Sequence, residues 1–116
     1  MKRYSTLAGA LFLGACSVSL PDADICAVAC TDAVGNIYVS EQITSLKNTE
    51  PGVVLYVFEH EVAHNILDDP TEVEADLWAE RIVLALGFDP CRMAPLLIRF
   101  NQVVRAQLLA ERNSCP

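Results

Sequence analysis

The run VVLYVFEHEVAHNIL, residues 53–67, constrains this chain of 116 residues more than any other stretch. Its first six residues favour a strand, but the run is long for one, and Pro51 stands where a helix would open. The histidines decide between the two. His60 and His64 are the only two in the chain, and only a helix makes residues four apart close neighbours on one face. His60-Glu61-x-x-His64 then aims two imidazoles at one point, with a carboxylate beside them that reaches a metal-activated water as a general base. A single histidine on an apolar face is usually a satisfied core residue. That reading does not explain why both histidines share this spacing with a glutamate between them.

The surrounding signals set the architecture. Asp68-Asp69-Pro70 breaks the first helix, and Thr71 with Glu74 forms a capping box for a second. That helix, EVEADLWAERIVLAL, ends at Gly87. Asp89-Pro90 then caps and starts a third helix, expected to run to about residue 112 with Pro95 kinking it or delaying its regular start. Upstream, CAVACTDAVGNIYVS reads as a β-hairpin turning around Asp32 and Gly35, and EQITSLKNTEPG as a polar connection with one helical turn. The expected fold is a small α+β domain over residues 26–116, an N-terminal hairpin packed on three helices. The sequence shows no repeats or low-complexity segments.

A catalytic metal site needs a third protein ligand and an open fourth position. Four carboxylates compete for that role. Asp68 and Asp69 follow the first helix too closely to fold back over it easily, and Asp69 suits the turn itself. Glu72 and Glu74 lie about 200° apart around the second helix, so they cannot both ligate. Glu72 and Asp76 share a face, which suits a ligand and a partner that holds a histidine tautomer, while Glu74 keeps its capping role. An acidic first turn is also favoured simply by the helix dipole.

The amino terminus reads separately from the domain. MKRYSTLAGALFLGAC has a basic start, a short apolar core and Leu13-Gly14-Ala15-Cys16, the pattern of an export signal too short to span a membrane as a helix. Leucine, two small residues and cysteine resemble the lipobox of bacterial lipoproteins. The resemblance implies a signal peptide over 1–15, lipidation of Cys16 and a tether over 16–25. With Ser17 following, it also implies the periplasmic face of the outer membrane in a two-membrane cell. Loss of Lys2 and Arg3 takes eight basic residues to six against fifteen acidic ones, a net charge of −9. Such a chain has no electrostatic footprint for nucleic acid, and anionic lipid would repel it. Membrane attachment therefore falls to the acyl chains.

Export also suits the cysteines. With Cys16 lipidated, Cys26, Cys30, Cys91 and Cys115 remain for an oxidising compartment. Extended backbone would hold Cys26 and Cys30 about 13 Å apart, and one continuous helix would hold Cys91 and Cys115 up to about 36 Å apart. Each of Cys26 and Cys30 is therefore expected to pair with one of Cys91 and Cys115.

Taken in order, GNIYVS, VFEHEVAHNIL and EVEADLWAERIVLALGFDPCRMAPLL resemble the gluzincin metallopeptidases of the HtpX, BepA and CAAX-prenyl-protease type over most of the mature domain. The resemblance implies a zincin-like fold, Zn²⁺ held by His60, His64 and Glu72, Glu61 as the base and Asp76 as an orienting partner. It also implies that Ile37, Tyr38 and Val39 form a strand that pairs with an extended peptide. A peptide or protein substrate in the cell envelope follows from it. The chain departs from the family in the connection NILDDPT, where the family has a long insertion that shapes the cleft. That leaves Tyr56, Arg81 and Arg92 as candidates for stabilising an oxyanion. It also raises the alternative of a non-catalytic zinc-binding adaptor or inhibitor completed by an envelope partner.

Overall fold

The computed structural model describes residues 2–5 and 28–116, and it is α+β. Strand β2 (Ala29–Thr31) and strand β3 (Asn36–Val39) form the expected antiparallel hairpin, with Thr31 opposite Ile37 and Ala29 opposite Val39. Asp32 closes the turn. Its carboxylate accepts from the main-chain N–H groups of Val34 and Asn36, the Asn36 amide and the Tyr38 hydroxyl. Gly35, at φ +92°, supplies the left-handed residue that the turn requires. Strand β1 (Lys2–Ser5) pairs antiparallel with the other edge of β3, giving the order β1-β3-β2. The expected lipidation site Cys16, the tether and Cys26 lie outside the described residues.

Five helices follow. The first, α1 (Glu41–Thr44), is the single turn expected in the polar connection, capped by the Ser40 hydroxyl. Helix α2 (Pro51–Ile66) opens on Pro51 and carries both histidines. Helix α3 (Glu72–Ala85) opens on the reciprocal Thr71–Glu74 capping box, and Gly87 at φ +87° turns the chain after it. Asp69, at φ +48°, bends the short connection between α2 and α3. The Trp78 indole N–H ties the two helices by donating to Glu59.

The expected third helix is instead two. Helix α4 (Pro90–Arg99) and helix α5 (Val103–Arg112) form an antiparallel pair. Pro95 sits inside α4, and the break comes later, at residues 100–102, where Asn101 takes φ +61°. Asparagine tolerates that conformation better than most residues. Folding α5 back on α4 corrects the cysteine pairing as well. Cys91 and Cys115 come to a Cα separation of 5.4 Å and bond to each other. Cys30 is also disulfide-bonded, so neither Cys26 nor Cys30 takes the partner expected for it.

The core lies where α2 meets everything else. Ile37 and Val39 from β3, Val53, Tyr56 and Val57 from α2, and Val83, Leu97 and Leu109 from the later helices are all essentially inaccessible. Burying side chains of this size contributes about 1.5–3 kcal/mol each. The helix that carries the histidines is therefore packed at the centre of the fold.

Candidate metal centre

Helix α2 meets the first turn of α3, and there the side chains converge. His60 Nε2 lies 2.9 Å from Glu72 Oε2, His64 Nε2 lies 3.0 Å from Glu72 Oε1, and the two Nε2 atoms are 3.3 Å apart. These three residues can hold a metal ion. Their chemistry supports the assignment. His60 Nδ1 is 2.6 Å from Asp76 Oδ1; if it carries the ring proton there, neutral His60 presents a bare lone pair at Nε2. A second imidazole and a carboxylate crowd that lone pair, an arrangement of electron-rich atoms that a cation between them relieves. A tetrahedral ion with bonds of about 2.0–2.1 Å spaces its ligands roughly 3.3 Å apart, close to what is found.

Glu72 takes the position expected of a third ligand. Asp69 is occupied in the turn, and Glu74 is occupied in the capping box, where its carboxylate accepts from the Thr71 N–H at 2.9 Å. Glu72 is the exposed member of the group, with its side chain 75 % accessible, whereas that of His60 is only 5 % accessible. The candidate ligand set therefore combines one residue anchored in the core with another at the surface.

Behind His60 runs a buried chain of charge. Asp76 accepts a forked contact from Arg105 on α5, with Nε at 3.2 and 3.1 Å from its two oxygens and a terminal nitrogen at 2.8 Å. Burial alone would raise the Asp76 pKa, but hydrogen bonds from His60 and Arg105 and the arginine charge outweigh it and hold the carboxyl below its ordinary value. Arg105 is steadied in turn by Gln102, which accepts from it, and by the ring of Tyr56, whose centroid is 5.4 Å from the guanidinium carbon. A parallel tie joins Glu80, one turn further along α3, to Arg112 and Asn113. Nothing local in the sequence marks Arg105. It lies 29 positions from Asp76, and a lone arginine on a surface helix is ordinarily solvated.

Three oxyanion candidates prove to be placed elsewhere. Tyr56 is fully buried beneath Arg105, and its hydroxyl finds no hydrogen-bond partner among the described residues. Burial and the nearby Asp76 charge push its pKa well up. Arg92 pairs with Glu50 at the opening end of α2, far from the histidines. Arg81 points to solvent from a turn of α3 well past Glu72.

On the open side, a cleft of about 500 Å³ is lined by Thr31, Asp32, Glu61, His64, Asn65 and Glu72 among others. Glu61 is 8 % exposed. One of its oxygens accepts from the Thr31 hydroxyl at 2.9 Å, and the other lies 3.6 Å from His60 Nε2. The strand that borders this cleft is β2. Ile37, Tyr38 and Val39, the residues expected to receive a peptide, have buried side chains and pair on one edge with β2 and on the other with β1, which lies within the expected signal peptide. Removal of residues 1–15 would free that second edge of β3 for an extended peptide. In β2, residues 28, 30 and 32 face β3, so alternation likewise turns the N–H and C=O groups of Ala29 and Thr31 outward.

Compared with family models, curated protein sequences and solved structures, the chain finds no match.

Proposed function

We propose that this chain is a zinc-dependent metallopeptidase that hydrolyses peptide bonds of cell-envelope proteins or peptides. In this reading it is a shortened gluzincin of the HtpX, BepA and CAAX-prenyl-protease type, anchored by lipid on Cys16. The observation that carries the reading is the convergence of His60, His64 and Glu72 with Glu61 turned toward the same point. Two imidazoles and a carboxylate form a donor set that zinc accepts in hydrolytic sites. Bound zinc would supply the Lewis acid that polarises a scissile carbonyl and acidifies water.

The chain's own residues do the rest. The free oxygen of Glu61 takes the proton from the attacking water and returns it to the leaving amine. Asp76 fixes the His60 tautomer, and Arg105 fixes Asp76. Once residues 1–15 are removed, the edge of β3 at Ile37, Tyr38 and Val39 is free to take the substrate as an added strand, and the outward edge of β2 beside the cleft offers a second. The 75 % exposure of the Glu72 side chain favours a second reading, a zinc-holding adaptor whose cleft is completed by an envelope partner.

Glu61→Gln separates the two readings. The variant should retain one zinc per chain, while cleavage of casein or a peptide library, abolished by a chelator and restored by zinc in the wild type, disappears. Equal cleavage by wild type and variant would overturn the mechanism. Stoichiometric zinc with no cleavage by the wild type would favour the adaptor.

A further inference from the structure

Of the contacts around the cleft, the one between Thr31 and Glu61 joins two elements 30 residues apart, and it reaches the carboxylate assigned as the base. We propose that Thr31 is the positioning residue for Glu61: it holds one carboxylate oxygen so that the other stays turned to the reacting water. The inference rests on the peptidase reading for its chemistry, but its geometry stands by itself.

A glutamate side chain has three rotatable bonds, and ordering one costs up to about 2 kcal/mol of rotamer freedom. Glu61 must therefore be held if a single oxygen is to face the ligands. The Thr31 hydroxyl lies 2.9 Å from Oε1 and 3.5 Å from the Glu61 main-chain oxygen, so its one proton goes to the nearer acceptor. With Oε1 engaged there, Oε2 is the atom left 3.6 Å from His60 Nε2. Thr31 is well placed to hold it. It pairs with Ile37, which is fully buried in the core, so the hairpin register fixes its backbone. Its β-branch also restricts the direction of the hydroxyl. Because Thr31 lies on the strand whose outer edge borders the cleft, the same residue links a docked peptide to the orientation of the base.

The test uses the full chain loaded with zinc. Thr31→Val removes the hydroxyl at nearly constant shape, Thr31→Ser restores it, and Thr31→Ala is a second deletion should the valine variant fold poorly. Zinc stoichiometry and far-UV circular dichroism should match the wild type in each. Two readouts follow. For peptide hydrolysis, Thr31→Val should lower kcat about tenfold with KM unchanged, the effect of one lost hydrogen bond to a charged group, and Thr31→Ser should recover most of it. For acetohydroxamate, whose acidic proton the base accepts on binding, Thr31→Val should weaken affinity by about tenfold in the wild-type background. In a Glu61→Gln background the same substitution should have a much smaller effect.

Wild-type kcat and hydroxamate affinity in zinc-loaded Thr31→Val or Thr31→Ala would overturn the proposal. So would an equal loss of affinity with and without Glu61, since Thr31 would then act by another route. If the wild type fails to hydrolyse peptides, the peptidase reading falls, while the hydroxamate cycle still reports whether Thr31 acts through Glu61.

Discussion

Replacing Arg105 with methionine keeps most of the side-chain volume and removes the charge that Asp76 meets from α5. The Asp76 side chain is 7 % exposed and that of Arg105 is 20 % exposed, so water cannot readily take over from the guanidinium. Removing one partner from a buried pair costs about 3–5 kcal/mol. Here Asp76 keeps His60 as a second partner, which puts the expected loss at the lower end, about 3 kcal/mol. For a domain near 100 residues that corresponds to a fall in Tm of roughly 12–24 °C. Urea and thermal unfolding of the metal-free protein, followed by circular dichroism, would measure it directly. Zinc affinity, measured by competition with a chromophoric chelator, should also weaken by about 10–100-fold, because His60 loses the support behind its Nδ1 proton. Arg105→Lys should fall between the two, since it keeps the charge but loses the fork. If Arg105→Met unfolded within 1 kcal/mol of the wild type, a margin well inside the range for breaking buried pairs, and bound zinc equally well, the chain from α5 to the ligands would be ornamental and the reasoning wrong.

Other consequences can be checked with the same methods. Burial would raise the Asp32 pKa, but hydrogen bonds from Asn36, Val34 and Tyr38 outweigh it and hold the carboxyl below its ordinary value. A lowered folded value means that this contribution is complete above the unfolded pKa and disappears as pH falls through the folded one. The stability gap between wild type and Asp32→Asn, measured by urea unfolding, should therefore narrow between about pH 5 and pH 3. A gap unchanged over that range would count against the turn assignment. Replacing both Cys91 and Cys115 with alanine opens a loop spanning 24 positions, which chain entropy sets at about 3.5 kcal/mol. A calorimetric loss below 1 kcal/mol, far short of that loop-entropy figure, would show that the α4–α5 pair closes without the bond.

Features that depend on neighbours in the chain were legible from the sequence. Pro51, the Thr71–Glu74 box, Asp89-Pro90 and Gly87 each act within one turn of themselves, so the starts of α2, α3 and α4 and the turn after α3 could be placed. The meeting of His60, His64 and Glu72 was also readable, because a short connection leaves two helices little choice but to lie side by side. The cysteine pairing was not, because it hung on one assumption, that residues 90–112 form a single helix. Asn101 carried a weak signal against that assumption, being a residue that tolerates the left-handed conformation in a polar Asn-Gln step. Arg105 and Thr31 were invisible for a different reason. Each reaches the centre from about 30 positions away, through packing that no local pattern encodes. Strand order was hidden in the same way: alternation identifies a hairpin but not which of its strands borders a neighbouring helix.

The turn bent at Asp69 has a further consequence for how the centre comes into being. All three ligands lie within the segment from His60 to Glu72, so bringing them together closes only a short loop, and the entropy of closure is correspondingly small. Helices α2 and α3 between them carry all three candidate ligands, so in the zinc reading capture of an ion would not need the remaining elements to have docked. Thr31 and Arg105 arrive only when the hairpin and α5 have packed. In the zinc reading, holding the metal would rest on α2 and α3 alone, whereas orienting Glu61 and supporting His60 would draw on β2 and α5. On that reading, ion uptake and reactivity would appear at different stages of folding, with the reactive arrangement withheld until the hairpin and α5 are in place.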